Sequence, residues 1–351
     1  MTADPELPVP PRLYGGIERI IDLLVTGLVD QGHDVTLIAH VDSVVPARLV
    51  PYPGRTSRGA FETFSHAALV ARTARRFKPD VIQSFSRVAY LLPVLPDRVP
   101  KVMSYQREVT ASSVRLASRL ARGSITWTAC SGYLANTVSN LAKWRVIHNA
   151  VSLGRYNFAN EVPADAPLVF LGRIEHIKGT HIAIDVARRA GRRLVIAGNV
   201  PDDDQSRAYF RTQIAPHVDQ THVSYVGAVD DAQKSQLLST AAAFLMPVLW
   251  DEPFGIVMAE ALACGTPVIG LERGAVGEVV EHGRTGWVCS DADDMVAAVA
   301  RIGELSRRAC REAAAARFSA PVLVDAYEAL YREIVAPARE PTQAREVADA
   351  R

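Results

Sequence analysis

Cysteine, long apolar runs and net charge are all scarce in this sequence, and each scarcity argues against a class of protein. The 351 residues include four scattered cysteines, whose spacing fits neither a zinc site nor a disulfide framework. The longest apolar run, Ala241 to Trp250, contains Pro247 and is much shorter than the roughly 20 residues that span a bilayer. The first residues lack the basic and then apolar order of a signal peptide. We therefore expect a protein of a reducing, cytoplasmic compartment.

Net charge is only +1, which argues against a dedicated nucleic-acid-binding protein. The charge is unevenly distributed, because residues 1–150 hold 18 Lys and Arg against 11 Asp and Glu, whereas the remainder holds 21 against 27. Three basic residues of the first half, Arg115, Arg119 and Arg122, recur at the spacing of one helical face. That stripe suits peripheral contact with anionic lipid or a lipid-linked phosphate. An ordinary solvated helix face is the alternative.

Two successive series of short apolar strands alternate with helical patterns along the chain. The first series has predicted strands at residues 34–39, 81–85, 101–105, 126–130 and 145–148, and helical patterns from Gly16 and near 60–77 and 111–121. The second series has predicted strands at residues 168–172, 194–198, 223–227, 243–246 and 267–270, and helices from near Thr180, Asp231 and Phe254. Continuously apolar strands are typical of parallel sheets buried on both faces. We therefore predict two doubly wound α/β domains.

The two predicted domains place a ligand site in the cleft between them, because such sheets bind ligands beyond the carboxyl ends of their strands. Residues 149–167, rich in Ala, Pro and Asn, mark the boundary. We predict an N-terminal domain over residues 1–152 and a C-terminal domain over 153–317. A helix over 318–336 would pack back on the N-terminal domain, and the tail over 337–351 would be disordered.

The densest motif contains two glutamates, Glu252 and Glu260, in the sequence Glu-Pro-Phe-Gly-Ile-Val-Met-Ala-Glu. A helix that starts near Phe254 would put Glu252 just before its N-terminus and Glu260 about two turns into it. The amides of Phe254, Gly255 and Ile256 would then be available to an anion or a sugar hydroxyl. A partly buried Glu260 would need hydrogen-bond donors such as vicinal hydroxyls. Helix capping with a chance second glutamate is the alternative.

Two further segments place glycine and basic residues at turns that lead into helices. Arg173 and Lys178 lie in Gly-Arg-Ile-Glu-His-Ile-Lys-Gly, between a predicted buried strand and the next helix. Arg offers a planar fork and Lys a point charge to phosphate oxygens, so together they could stabilise a leaving diphosphate. Gly15 and Gly16 directly precede a strongly periodic helix whose N-terminus would face the cleft. Taken singly, a solvated loop and an ordinary tight turn would explain these two segments.

In combination, the Gly-Gly turn, the Gly-Arg-x4-Lys-Gly loop and the Glu-x7-Glu motif followed by Gly-Thr-Pro-Val resemble the family 4 retaining glycosyltransferases. The resemblance covers roughly residues 9–335, and it includes Val146 to Val151 near the boundary and Gly283 to Val288 after the glutamates. It implies the GT-B fold, in which two Rossmann-like domains face a central cleft. It also implies a nucleotide diphosphate sugar as the donor substrate.

The resemblance further implies a role for each matched residue. Arg173 and Lys178 would hold the donor diphosphate and Glu252 would meet hydroxyls of the transferred sugar, so these three would form the catalytic set. The other donor contacts would come from Gly15, Gly16, Phe254, Gly255, Ile256 and Glu260, the last of these on the ribose. Members of the family favour a front-face mechanism, in which the leaving phosphate helps to deprotonate the acceptor. They need no bound metal.

The sequence departs from the family's pattern at its start and on the acceptor side. A first, central strand usually precedes the Gly-Gly turn, whereas prolines at positions 5, 8, 10 and 11 exclude an ordinary strand here. We therefore expect either a truncated chain or an N-terminal sheet without its first strand. Many members also carry a histidine after the strand at 101–105, where this chain has Gln106, Arg107 and Glu108. Gln106 could bind a sugar hydroxyl but not act as acid or base, so Arg107 or Glu108 would share the acceptor role.

These features predict a retaining hexosyltransferase that moves a sugar from a nucleotide diphosphate sugar to a glycan, lipid-linked or small-molecule acceptor. A nucleotide-sugar epimerase of the same fold and a degenerate, non-catalytic nucleotide-sugar-binding protein are the alternatives. No metal or other cofactor is expected, because Asp202-Asp-Asp204 is interpreted as a polar loop before a helix. A Rossmann dehydrogenase is disfavoured, because no Gly-x-Gly-x-x-Gly follows a strand.

Overall fold

The chain folds into two α/β units, as described by a computed structural model for residues 1–12, 15–54, 56 and 59–339. The strands of the first unit are β1 (Thr36–Ala39), β2 (Arg48–Pro51), β3 (Ile82–Ser84), β4 (Lys101–Tyr105), β5 (Ile125–Ala129) and β6 (Trp144–Val146). Its helices are α1 (Gly16–Asp30), α2 (Ala60–Phe77), α3 (Ala111–Ala121) and α4 (Gly132–Thr137). All of the strand pairs are parallel, with β1 beside β2 and with β3, β4, β5 and β6 adjacent in that order.

The second unit contains a six-stranded parallel sheet in the order β12-β11-β10-β7-β8-β9. Its strands are β7 (Leu168–Leu171), β8 (Leu194–Ala197), β9 (Val223–Tyr225), β10 (Ala243–Met246), β11 (Val268–Leu271) and β12 (Gly286–Cys289). Its helices are α5 (Thr180–Arg189), α6 (Asp204–Tyr209), α7 (Asp231–Thr240), α8 (Ile256–Ala263), α9 (Val276–Val279) and α10 (Ala292–Ala300). Strand β10, buried at all four positions, lies in the middle of this sheet because its side chains are apolar on both faces.

The first residues of the chain occupy the central position of the N-terminal sheet, which corrects the expectation that this position is unfilled. Thr2 forms parallel bridges to both Ile38 and Ser84, and it therefore joins β1 to β3. Its amide donates to Gln83 O at 2.9 Å, while the Ala3 amide donates to Ile38 O at 2.9 Å. The prolines begin only at position 5, so they exclude a longer strand but leave room for this short one.

Two helices, α11 (Arg307–Phe318) and α12 (Ala320–Arg339), complete the described chain. Helix α12 crosses to the N-terminal unit, where its Val324 packs on Gly27 of α1. The two helices are so close there that a Cβ added to Gly27 would lie 2.4 Å from Val324 Cγ2. The buried Tyr327 hydroxyl lies 2.8 Å from Ser104 Oγ at the end of β4. Residues 337–339 continue this helix, which corrects the predicted start of the disordered tail, and residues 340–351 lie outside the described part of the chain.

Candidate functional site

The centre of the cleft site is an ion pair between the loop after β7 and the loop after β10. Lys178 Nζ lies 2.8 Å from Glu252 Oε2, and both side chains are largely buried. Trp250 holds the pair from one side, because its indole Nε1 donates to the same Glu252 oxygen at 3.1 Å and its ring lies 4.6 Å from Lys178 Nζ. Two residues predicted for the catalytic set therefore meet directly, although 74 positions separate them in the sequence.

Glycine allows these two loops to approach each other. Gly179 has a positive φ of 73°, and a Cβ there would lie 1.9 Å from Pro247 O. The Leu249 amide donates to Ile177 O at 2.8 Å, which fixes the loop after β7 to the segment after β10. A side chain at position 179 would push this segment away. The Lys178–Glu252 pair thus depends on a backbone contact that only glycine permits.

Glu252 is also held through its main chain. Gly274, with φ at 58°, passes so close that a Cβ would lie 2.4 Å from both Glu252 N and Glu252 O. The Ala275 amide donates to Glu252 O at 2.8 Å. The segment after β11 therefore buttresses the segment after β10, and it leaves Glu252 9% exposed at the cleft. Neither Gly274 nor Trp250 was predicted for the site, because neither belongs to a recognised motif.

Arg173 begins the same loop as Lys178. Its Nη1 lies 3.0 Å from Glu175 Oε1, with side chains 34% and 20% exposed. The loop starts at the carboxyl ends of the neighbouring strands β7 and β8. Two hydrogen bonds join the residues that follow these strands: the Gly172 amide donates to Ala197 O at 3.1 Å, and the Ile174 amide donates to Asn199 O at 3.0 Å. Arg173 is thus placed at the carboxyl edge of the C-terminal sheet, as its predicted role requires, and it is partly accessible there.

The helix after Glu252 starts two residues later than predicted. Helix α8 begins at Ile256, with Gly255 as its N-cap in the left-handed conformation, so Glu260 lies little more than one turn into it. The predicted start near Phe254 is two residues early, because Gly255 has a positive φ of 75°, which does not occur inside a right-handed helix. The Phe254 side chain is 2% exposed and packs on His148 and Phe318, with ring centroids 5.9 and 5.6 Å away. Only the backbone of Phe254 can therefore face the cleft.

The N-termini of α1 and α8 face each other across the cleft. Gly16 opens α1 after Gly15, whose φ of 152° is rarely adopted by other residues. A Cβ on Gly16 would lie 3.1 Å from Ile256 Cδ1 at the start of α8. The first amides of a helix have no intrahelical acceptor, and the helix dipole favours negative charge there. The cleft therefore brings two anion-attracting helix ends and Lys178 into one region.

Glu260 lies deeper than the rest of the site, at 4% exposure. Lys234 Nζ is 2.5 Å from its Oε1, and the Tyr156 hydroxyl donates to the same oxygen at 2.7 Å. Burial, together with the nearby Glu260 charge, raises the pKa of Tyr156 far above its usual value. The sequence predicted ligand hydroxyls as the partners of Glu260, whereas the protein itself supplies a cation and a phenol.

The Glu260 cluster continues into the N-terminal unit through Asp231. Lys234 Nζ lies 3.4 Å from Asp231 Oδ1, and Arg19 of α1 reaches Asp231 Oδ2 at 2.5 Å. Arg19 is largely buried, so its pair with Asp231 ties α1 to α7 across the cleft. Glu260 was predicted from its motif, whereas Arg19, Asp231 and Lys234 were not predicted for the site.

A second bridge between the units involves Glu278 of α9. Its carboxylate accepts from the Gly132 amide at 2.7 Å and the Tyr133 amide at 3.1 Å, and it lies 2.6 Å from His148 Nε2. Burial raises the pKa of Glu278, but the hydrogen bonds from His148 and the two amides outweigh it, so the pKa lies below its usual value. Glu278 thereby fixes the start of α4 against the C-terminal unit.

The residues predicted for the acceptor side separate in the structure. Gln106 is half-buried, and its Oε1 has no hydrogen-bond partner among the described residues. Arg107 Nη2 pairs with Asp4 Oδ2 at 2.6 Å, and Glu108 is exposed to solvent. Only Arg107 is thus tied to Asp4, at the edge of the sheet that the first residues of the chain join.

Other segments singled out in the sequence lie outside the cleft site. Asp203 caps α6 by accepting from the Ser206 amide at 2.8 Å, while the flanking Asp202 and Asp204 pair with Arg207. The stripe residues Arg115, Arg119 and Arg122 are all exposed, on α3 and its C-cap. Within the described ranges, no helix combines the length and the apolar character that crossing a membrane requires.

The fold and the cleft residues define a transferase of the GT-B class, and comparison with known families identifies which one. The family model for Glycosyltransferase Family 4 matches residues 14–155, and the model for Glycosyl transferases group 1 matches residues 158–317. The two matches meet at the boundary between the two sheets. The chain therefore belongs to the family 4, group 1 type of glycosyltransferases.

Individual relatives agree with this assignment. The chain is 28% identical to the glycogen synthase of Mycobacterium tuberculosis over 88% of its own length and 87% of that protein. Among solved structures, AviGT4, a glycosyltransferase involved in avilamycin A biosynthesis, superimposes with a TM-score of 0.70 at 25% identity, covering 94% and 93% of the two chains. Anabaena Alr3699/HepE in complex with UDP-glucose shares the fold, with a TM-score of 0.71 at 18% identity over 94% and 98%.

Proposed function

We propose that this glycosyltransferase moves a hexose from a nucleotide diphosphate sugar to an acceptor hydroxyl with retention of configuration. One observation carries the proposal: Lys178 and Glu252 meet at 2.8 Å in a cleft where the N-termini of α1 and α8 also face each other. This arrangement suits a ligand that has both negative charge and hydroxyl groups, as a sugar diphosphate has. The acceptor is a glycan, a lipid-linked molecule or a small molecule.

In this proposal Lys178 and Arg173 bind the diphosphate and stabilise the charge that develops on it as the glycosidic bond breaks. Glu252 accepts hydrogen bonds from the transferred sugar and so fixes its orientation. The amides of Gly255 and Ile256 bind the phosphate, with Gly16 opposite. Transfer proceeds on the front face, where the leaving phosphate oxygen takes the acceptor proton, and it requires neither an enzymic nucleophile nor a bound metal.

Glu260 is proposed to bind the ribose. Its Oε1 is engaged by Lys234 and Tyr156, and a carboxylate has lone pairs for further donors on its second oxygen. The Lys234 cation pairs with the carboxylate and orients it, because a buried charge without a partner would be costly. The cytoplasmic location and the contact of Arg115, Arg119 and Arg122 with membrane lipid stay predictions.

The experiment that tests the proposal is a thermal-shift screen over UDP-, GDP- and ADP-sugars, with UDP-glucose first because HepE was solved with it. A ligand of the folded state raises the melting temperature by mass action, because it adds about 2.7 kcal/mol to the free energy of unfolding at a concentration of 100 Kd. The donor found is then incubated with an acceptor panel, and NMR of the product's anomeric centre reports its configuration. A product of inverted configuration would contradict retention.

The same screen separates the proposed function from its two alternatives. An epimerase would convert the donor without any acceptor, whereas a transferase releases nucleotide diphosphate faster when an acceptor is added. A non-catalytic binding protein would shift in melting temperature and turn over no donor across the whole panel. The variant Glu252→Gln serves as the control in these binding and turnover assays, since it keeps the volume of the side chain and removes its charge.

A further inference from the structure

A chain of four charged side chains runs from Glu260 in the C-terminal unit to α1 in the N-terminal unit. Glu260 Oε1 lies 2.5 Å from Lys234 Nζ, and that ammonium group lies 3.4 Å from Asp231 Oδ1. The second oxygen of Asp231, Oδ2, lies 2.5 Å from Arg19 Nη1. The charges alternate in sign along the chain and sum to zero. Each carboxylate therefore has a cation beside it, and the last of these cations comes from the N-terminal unit.

Burial makes this balance of charges important. Glu260 and Lys234 are both buried, and only 15% of the Arg19 side chain is exposed. Water and salt screen such charges less than those at the surface. Lys234 lies between two carboxylates, so Asp231 competes with Glu260 for its charge. Arg19 binds Asp231 from the other side, which weakens that competition and leaves Lys234 to Glu260.

The pKa shifts of the chain agree with this geometry. Burial raises the pKa of Asp231, but the attraction of Lys234 and Arg19 outweighs it, so the pKa lies below its usual value. Burial lowers the pKa of Arg19, whereas the hydrogen bond to Asp231 and the charges of Asp231 and Glu260 raise it above its usual value. Arg19 thus interacts electrostatically with both carboxylates of the chain.

The chain determines which oxygen of Glu260 is available to a ligand. Lys234 Nζ and the Tyr156 hydroxyl both donate to Oε1, the hydroxyl at 2.7 Å. Among the residues that the structure describes, none donates to Oε2. Two donors on one oxygen hold the carboxylate in one orientation and leave Oε2 to accept from a ligand. A shift of Lys234 toward Asp231 would loosen this orientation, because one of the two donors would move.

Asp231 is a fixed partner for Arg19, because the start of α7 is capped. The Asp230 side chain accepts from the Gln233 amide at 2.8 Å, and the Gln233 side chain accepts from the Asp230 amide at 3.0 Å. This capping box holds the first turn of the helix, in which Asp231 is the first residue. Arg19 lies three residues after Gly16, which opens α1 at the cleft. The chain therefore joins two helix starts that border the donor site.

We propose that Arg19 is a positioning residue of the donor site. By neutralising Asp231 it keeps Lys234 on Glu260, so that Glu260 presents its second oxygen to the ribose hydroxyls of a nucleoside diphosphate. Because Arg19 belongs to the N-terminal unit, recognition of the ribose in the C-terminal unit depends on contact between the two units. The proposal rests on the proposed function, since it requires that Glu260 binds the ribose.

The test compares the binding of UDP with that of 2′,3′-dideoxy-UDP by isothermal titration calorimetry. The ratio of the two Kd values measures how strongly the ribose hydroxyls are recognised. We expect dideoxy-UDP to bind the wild type about 10- to 100-fold more weakly, which is the worth of hydrogen bonds to a charged group. ADP and GDP are measured against their dideoxy forms in the same way, and the nucleotide that the wild type binds most tightly is used for the variants.

Arg19→Met should lower this ratio about fivefold or more, which is the worth of one hydrogen bond. The change should come from weaker binding of the ribonucleotide, while the Kd of the dideoxy form stays within about twofold of the wild-type value. Arg19→Lys keeps the charge and should retain most of the ratio. Arg19→Gln, which keeps a donor for Asp231 without the charge, takes the place of Arg19→Met if that variant does not fold, with the same expected change in the ratio.

A second substitution separates positioning from a purely structural role. Arg19→Met leaves two carboxylates with one cation, whereas the double variant Arg19→Met, Asp231→Asn leaves Lys234 and Glu260 as a balanced pair. We therefore expect the double variant to recover most of the wild-type ratio, although the ion pair between the units is still missing. An ion pair that merely held the units together would leave the double variant as impaired as the single one.

Arg155→Met is the matched control, because it removes a different ion pair of α1. Arg155 Nη2 lies 3.5 Å from Asp22 Oδ2, and neither residue belongs to the chain of four charges. This variant should keep the wild-type ratio. Thermal melting of every variant shows whether it is folded.

Four results would overturn the proposal: a wild-type ratio in Arg19→Met, no recovery in the double variant, an equal loss of the ratio in Arg155→Met, or an unchanged ratio in Glu260→Gln. The last of these would show that Glu260 does not bind the ribose. Failure of the proposed function itself would appear differently, because the wild type would then bind none of the three nucleotides, and the role of Arg19 would fall with it.

Discussion

Replacement of Lys178 by methionine is the sharpest test of the cleft site, because it affects folding and catalysis by different routes. The substitution keeps most of the side-chain volume and leaves Glu252, whose side chain is 11% exposed, without its cation. Removing one partner of a fully buried pair costs about 3–5 kcal/mol. Glu252 keeps the hydrogen bond from Trp250 at 3.1 Å and some solvent contact, so we expect a loss of about 2 kcal/mol in the free energy of unfolding.

A second substitution separates the two effects. The double variant Lys178→Met, Glu252→Gln has no unpaired charge, and its glutamine still accepts from Trp250. We therefore expect it to recover most of the lost stability. Turnover should not recover, because a cation that stabilises the leaving diphosphate contributes about 100- to 1000-fold to the rate. Stability should thus rise from the single to the double variant while turnover stays low in both.

The assays are urea unfolding for stability and initial rates of nucleotide diphosphate release for turnover. Lys178→Arg is the control, since it keeps the charge with a different geometry. Turnover within a few-fold of wild type in Lys178→Met would show that Lys178 does not contact the leaving group. A double variant no more stable than the single one would show that burial of an unpaired Glu252 charge is not the cause of the instability.

Two further predictions concern the rest of the surface. Glu278 has a pKa below its usual 4.5, and a carboxyl of this kind stabilises the fold above its unfolded pKa and loses that contribution as pH falls through its folded value. The melting temperature of the wild type should therefore fall more steeply than that of Glu278→Gln as pH drops below about 4.5; parallel curves would contradict this. Replacing Arg115 or Arg119 by glutamate should weaken sedimentation with anionic vesicles by roughly fivefold or more per residue, and unchanged sedimentation would leave the stripe an ordinary solvated face.

The strands that the sequence predicted best are those buried on both faces. The predicted spans 101–105 and 243–246 coincide with β4 and β10. Strand β10 is continuously apolar and buried at all four positions, and β4 is buried at four of its five positions although it contains Lys101 and Ser104. The strands Arg48–Pro51 and Gly286–Cys289 were missed. The first is exposed at both ends and contains arginine and proline, and the second opens with glycine, so neither has an apolar run of strand length. These two segments form strands because they pair with β1 and β11, respectively, and that pairing is not visible in their own sequence.

The site was predictable to the extent that its residues lie in motifs. Lys178 and Glu252 were found because strand-to-helix loops carry ligands in this class of fold. The supporting aromatic residues were not predicted, because neither lies at a motif position: Trp250 contacts Lys178 and Glu252, and Tyr156 donates to Glu260, only in the folded chain.

The carboxylates of the cleft already have protein partners: Glu252 binds Lys178, and Glu260 binds Lys234. We expect a diphosphate that binds Lys178 to compete with Glu252 for that cation, and the displaced carboxylate would then accept hydrogen bonds from hydroxyls of the same sugar. Donor binding is favourable only where the phosphate contact and these hydrogen bonds together outweigh the weakening of the ion pair at 2.8 Å. Because the contact between the diphosphate and Lys178 is ionic, we expect added salt to weaken donor binding.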